Sequence, residues 1–163
     1  EYDVEEFDVA DVILHFLRVF EGPASQRGIS ITCQLPPLPK VLADRERVSQ
    51  VLANLLSNAT RYVPEGGHVA VTASVPSAPE GAMIGMVQVD VTDDGPGIEE
   101  CHRERVFDKF VRLDGAKGGG AGLGLPIARA IVEHLGGRLW LDSAFGGGAR
   151  FSFTLPARLG VGM

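Results

Sequence analysis

The chain has 163 residues, 45% hydrophobic and 22% charged, the balance of one globular domain with enough interior for a core. A net charge of −6 leaves no basic excess to neutralise a nucleic-acid backbone, but it does not bar a nucleotide held locally. No apolar run approaches the roughly 18 residues of a membrane span, no signal-peptide pattern opens the chain, and Cys33 and Cys101 are too few for a disulfide framework and lack zinc-ligand spacing.

Both cysteines are therefore read as free thiols in a reducing compartment. Glu5 to Asp8 reads as an extended lead-in, with Asp8 placed to cap a helix. Val9, Val12, Ile13, Phe16, Leu17 and Phe20 then make an amphipathic stripe. Gly22-Pro23 is expected to kink or split that helix, and Gly28 to end it. Ile29 to Gln34 alternates like a half-buried strand, Pro36 to Pro39 is a stiff connector, and Lys40-Val41-Leu42 adds a brief strand. Asp44 caps the next helix, which runs to about Arg61 with Val48, Val51, Leu52, Leu55 and Leu56 on one face. Asn54, Asn58 and Arg61 form a polar stripe along the edge of that face. Asparagine is a mediocre helix former, so two of them one turn apart are either a solvated face or amides aimed at a cation or phosphate-bearing ligand.

Val69 to Val75 and Val87 to Val91 alternate as two strands of a hairpin. The second ends in Asp93-Asp94-Gly95-Pro96-Gly97-Ile98, which is either a plain turn or a carboxylate held where a ligand can reach it. Val106-Phe107 and Phe110-Val111 form a short aromatic segment, read as core packing. Leu139 to Asp142 and Ala149 to Leu155 read as the last strands, with Pro156 stopping the second and a frayed tail after Ala157.

Between these lies Gly118 to Leu125, followed by an apolar helical repeat at Ile127, Ile131 and Leu135, with Pro126 in its first turn and Gly136 past its end. A glycine loop that opens into a helix N-terminus can bring backbone N–H groups to phosphate. Its type is neither a P-loop, since Lys117 is followed by Gly118, nor G-x-G-x-x-G, which the chain lacks. Leu113 to Gly119 offers little apolar surface, and ordering it costs about 1–2 kcal/mol per residue in backbone entropy. The loop is expected to be mobile without ligand and to close as a lid over bound phosphates.

Together these motifs resemble the ATP-binding catalytic domain of bacterial sensor histidine kinases, over residues 5 to 157. Asn54-Leu55-Leu56-Ser57-Asn58-Ala59 is similar to that family's asparagine box, and Asp93 to Ile98 to its first glycine box. Phe107 to Arg112 resembles its phenylalanine box, and Gly120 to Leu125 its second glycine box. The resemblance implies one Bergerat-type domain across residues 1–163, with a core at 5–157 and a flexible tail at 158–163. Its fold would be a two-layer α/β sandwich, a mixed sheet of about five strands with three helices on one face.

The resemblance also implies ATP and Mg²⁺ as ligands. Asp93 would accept from the adenine amine, with Gly95, Gly97 and Ile98 shaping that corner and Tyr62 stacking near the base. Asn58 is the Mg²⁺ ligand it implies first, with Asn54 beside it on metal or phosphate. Arg61 stands where the family usually has lysine and brings a planar fork to phosphate. Gly120, Gly122, Leu123, Gly124 and Leu125 would hold phosphate on backbone amides, Lys109 and Arg112 would reach the γ-phosphate, and Phe110 would pack with Phe107 beneath the lid.

None of His15, His68, His102 and His134 carries the flanking residues of the family's phosphoacceptor, so no catalytic residue is assigned within this chain. The expected partners are a helical dimerisation domain carrying that histidine and, downstream, a response regulator. The fragment is expected to be monomeric and cytoplasmic, and the parent protein a homodimer whose membrane anchoring stays open. Rival classes are an anti-sigma-factor serine kinase and a non-catalytic ATP-binding module. Gyrase and mismatch-repair ATPases place a glutamate base where Asn54 stands, so intrinsic ATP hydrolysis is not expected.

Overall fold

Apolar residues recurring every three to four positions become the buried faces of three helices among the described residues, which in this computed structural model are 1–98, 103, 105–108, 124–142 and 147–159. Helix α1 (Val9–Gln26) buries Val9, Val12, Ile13 and Ala24, and Asp8 Oδ1 caps it by accepting from Ala10 N at 3.0 Å. Pro23 lies inside this helix and does not split it as expected. It falls in the last turn, where a missing N–H interrupts the ladder near its natural end. Gly28 then turns the chain at φ +71°.

Helix α2 (Arg45–Tyr62) buries Val48, Val51, Leu52, Leu55, Leu56 and Ala59. A fully buried leucine contributes about 1.5–3 kcal/mol by leaving water, so this face is a main adhesive of the helical layer. The Arg27 guanidinium donates to Thr60 O and, at 3.0 Å, to Val63 O. It covers carbonyls that the end of α2 leaves open and sets a positive charge at the negative end of the helix. Helix α3 (Gly124–His134) starts two residues before Pro126 and closes at Gly136, φ +94°. Its inward residues include Ala128, Ile131 and Val132, whereas Ile127, the first of the apolar repeat, is 38% exposed.

Among the described residues the strands are β1 (Glu5–Phe7), β2 (Ser30–Gln34), β3 (Val41–Ala43), β4 (His68–Ser74), β5 (Ile84–Asp93), β6 (Leu139–Leu141) and β7 (Ala149–Arg158). They form one mixed sheet in the order β1-β3-β7-β5-β4-β2, with β6 also paired to β7. The β2–β4 pair is parallel and the others antiparallel. The count exceeds the expected five because the lead-in and Val41–Ala43 pair with each other as two short strands. Val87, Val89 and Val91 alternate with polar neighbours along β5, and Phe151, Phe153 and Leu155 do so along β7. Their buried sides meet the helices, which makes a two-layer α/β sandwich.

The longest ladder runs along β5 and β7, from Ile84 opposite Arg158 to Asp93 opposite Ala149. Pro156 does not stop β7. Thr154 N donates to Arg138 O and Arg158 N to Lys40 O, so the N–H that Pro156 lacks would point into the gap between β6 and β3. A proline fits an edge where no acceptor waits. Arg158 therefore lies in the sheet and not in a tail, and Leu159 N still donates to Met83 O at 2.9 Å. Residues 160–163 fall outside the described residues. Cys33 is a half-buried free thiol, and Cys101 is not among the described residues.

Candidate functional site

The end of β5 places two adjacent carboxylates in different surroundings. Asp94 is exposed, and its Oδ1 accepts from His68 N at 2.8 Å, which ties β5 to the start of β4. Asp93 is 5% exposed. Its Oδ1 takes both backbone donors, Gly95 N at 2.9 Å and Ala149 N at 3.4 Å. Its Oδ2 has no hydrogen-bond partner among the described residues. Burial pushes the Asp93 carboxyl above the usual carboxylate range, against the pull of those two N–H groups, and the neighbouring Asp94 charge adds to the rise. A buried acceptor oxygen without a donor is costly unless a ligand supplies one.

Backbone fit holds that corner. A Cβ at Gly95 would stand 3.0 Å from Tyr62 O and 3.1 Å from Asp93 Oδ1, so the last turn of α2, the Gly95 turn and the carboxylate are close-packed. A Cβ at Gly148, φ +142°, would overlap Asp93 O, and one at Gly97, φ +76°, would sit 3.0 Å from Gly148 O. Two glycine turns far apart in the chain thus lock together around Asp93. The run Gly146-Gly147-Gly148 by itself suggests only a turn between two strands. The Ala149–Asp93 hydrogen bond that closes this corner spans 56 residues, and the one local sign was a third glycine directly before a strand.

A second corner lies between α2 and α3. Asn54 Nδ2 donates to Gly124 O at 3.1 Å, which joins the asparagine stripe to the point where the glycine loop becomes helix. With its nitrogen so engaged, Asn54 has a carbonyl oxygen with no partner among the described residues. Asn58 is half-buried and its side chain has no hydrogen-bond partner among the described residues. Arg61 and Tyr62 are half-buried in the last turn of α2, and Leu125 and Ile98 pack on the core. Phe107 meets Phe151 edge-on at 6.0 Å, consistent with core packing, and carries the Arg129 guanidinium 5.0 Å from its centroid. Lys109, Phe110, Arg112, Gly120, Gly122 and Leu123, and with them the expected lid, lie outside the described residues.

Two amide oxygens on one helix face are hard, neutral donors of the kind Mg²⁺ accepts when phosphate supplies the charge. Among the described residues there is no cluster of three His, Cys, Asp or Glu side chains that could form an all-protein cage. The residues present fit a metal shared with phosphate. No helix among the described residues is long and apolar enough to cross a membrane.

Residues 43–159 match the family model described as histidine kinase-, DNA gyrase B- and HSP90-like ATPase. The adaptive-response sensory kinase SasA of Synechocystis sp. (strain PCC 6803) is 37% identical over 150 residues, which is 91% of this chain and 38% of that protein. The chain thus spans well under half the length of this curated relative. Full-length ShkA in complex with AMPPNP superposes with a TM-score of 0.81 at 34% identity, covering 98% of this chain and 32% of that one. The histidine kinase ThkA, solved in complex with the response regulator protein TrrA, gives 0.75 at 29% identity over 94% of this chain and 42% of its own. The chain belongs to the histidine kinase-, DNA gyrase B- and HSP90-like ATPase family, as a catalytic domain of the histidine-kinase kind.

Proposed function

We propose that this domain binds Mg-ATP between α2, the end of β5 and the start of α3, and supplies the γ-phosphoryl group to a histidine on a separate helical dimerisation domain. The observation that carries this reading is the unpartnered Oδ2 of buried Asp93 at the end of β5. An adenine exocyclic amine is the donor that satisfies it, and guanine, with a carbonyl at that position, is not. Tyr62, whose backbone adjoins this corner, lines the base. Asn54 and Gly124 stand where phosphates would lie, with Arg61 as the nearby cation. Asn58 and Asn54 would hold Mg²⁺ by their amide oxygens, and the ion when bound neutralises charge on the phosphates.

The chain's own residues position the nucleotide and exclude other bases, which are the main protein contributions to phosphoryl transfer. An imidazole nitrogen of the acceptor forms a bond to the γ-phosphorus as the bond to the β,γ-bridging oxygen breaks. ADP leaves, and the imidazole proton passes to a base on the acceptor domain. No glutamate base occupies the Asn54 position, so transfer to water is slow. The likeness to ThkA, solved with a response regulator, supports a place in two-component signalling, with a response regulator downstream. Residues 1–163 act as one domain, monomeric by itself, within a dimeric parent.

Labelled ATP tests the reading directly. Mixed with a separately produced dimerisation domain, the chain should transfer label to that domain's histidine and not to itself. Label retained on a serine of a partner would favour the anti-sigma-factor class instead, and binding without any transfer would favour a non-catalytic module.

A further inference from the structure

Tyr2 and Asp3 precede β1, so the sheet does not need them, yet three side chains from two helices hold them. Asp3 N donates to Asp44 Oδ2 at 2.8 Å, on the carboxylate whose other oxygen caps α2 through Arg47 N at 3.2 Å. The Tyr2 ring stacks on the His134 imidazole, with centroids 4.0 Å apart and planes at 27°, and the Arg47 guanidinium lies 4.9 Å from its centroid. The backbone entering the domain is thus fastened to the first turn of α2 and the last turn of α3. His134 is exposed and belongs to no other aromatic cluster among the described residues. One stack and one hydrogen bond can open without unfolding the domain.

The other end of α3 is Gly124, bonded to Asn54, where the glycine loop enters the helix. Eleven residues of helix, about 15 Å at 1.5 Å per residue, separate the two ends. We propose that Tyr2–Asp3 is a strap that couples nucleotide occupancy at the N-terminus of α3 to the backbone entering the domain, through the Tyr2–His134 stack. Nucleotide held at the start of α3 steadies the helix, and a steadier last turn holds Tyr2 more tightly. The coupling is reciprocal, so a fastened strap also favours the nucleotide. This rests on the nucleotide-binding reading above, and adds what binding does to the connection with the rest of the parent protein.

The test uses the 163-residue chain with magnesium and AMPPNP. On saturation, exchange of the Asp3 amide should slow at least about fivefold, and Tyr2→Ala should raise the AMPPNP Kd by a similar factor. Tyr2→Phe keeps the ring and should behave as wild type in both measurements. His134→Ala, at an exposed position, should repeat the Tyr2→Ala effect, and the double variant should add little to either. Unchanged Asp3 exchange, or an unchanged Kd in Tyr2→Ala and His134→Ala, overturns the strap while wild-type binding still stands. A wild-type chain that binds no AMPPNP overturns the nucleotide reading and the strap together.

Discussion

Asp44 and Asp93 have almost equal surface exposure, 6% and 5%, and each accepts at least two backbone N–H groups, yet their titrations are displaced in opposite directions. Asp44 spreads its donors over both oxygens at the start of a helix. The Asp3 N–H foremost, against the cost of burial, holds its carboxyl below the ordinary value, with help from the Arg47 and Glu46 amides and the Arg47 charge. Asp93 is enclosed far more deeply by the protein, so desolvation outweighs the Gly95 and Ala149 amides and its carboxyl is held high. The difference is that between a completed structural cap and an acceptor still lacking a donor. Low surface exposure alone therefore does not identify a binding carboxylate; deep enclosure together with an unfilled lone pair does.

The largest effect expected from this contrast is on binding. Asp93→Asn keeps an oxygen for Gly95 N and Ala149 N but offers an amine where Oδ2 stood. Losing a charge-assisted hydrogen bond costs about 1.5–3 kcal/mol, more than tenfold in affinity. Calorimetric titration should show that loss with an unchanged circular dichroism spectrum. Gly148→Ala attacks the same corner sterically, since its Cβ overlaps Asp93 O. Overpacking of this kind costs about 1–3 kcal/mol, so thermal unfolding should move down and affinity fall with it.

Asp44→Ala should do the reverse, removing a cap worth about 1 kcal/mol of stability while affecting affinity less than Asp93→Asn does. The pH dependences sharpen the pair. Asp44 has a depressed folded-state pKa, so its stabilisation is complete above the unfolded value of 3.8 and is lost as pH falls through the folded one. Asp93 is raised, so its contribution to stability is present below 3.8 and lost as pH rises through its folded value. Only the ionised form accepts fully from adenine, so affinity should already weaken in acid above pH 3.8, before Asp44 protonates. Denaturant titrations and binding isotherms between pH 3 and 7 would separate the two limbs. The smallest expected effect is that of Asn58→Ala, which should weaken binding in magnesium more than in chelator. An equal loss in both conditions would remove Asn58 from the metal site.

Much of this contrast was legible in the sequence where local rules suffice. The helical spacing of Val48 to Leu56 placed α2, Asp44 announced its cap, and alternating valines led β5 to Asp93. The Asn54 and Asn58 stripe stood out because asparagine is a poor choice mid-helix. What could not be read depends on distant pairing. Nothing near Pro156 says that its missing N–H faces the gap between β6 and β3. Nothing near Gly148 says that Asp93 O lies against it, and nothing near Arg27 says that it closes the end of α2. The choice between Asp93 and Asp94 likewise rested on resemblance until the fold showed Asp93 buried and Asp94 exposed.

The central claim, that Asp93 Oδ2 awaits an adenine amine, is tested most directly by changing that amine. Titrating the wild-type chain with ATP and with inosine triphosphate, which carries a carbonyl there, compares the two donors in one pocket. The account predicts more than about tenfold weaker binding of the inosine nucleotide, from the lost hydrogen bond and the two facing acceptors, and a narrowed gap in Asp93→Asn. Equal affinities in the wild type would contradict it.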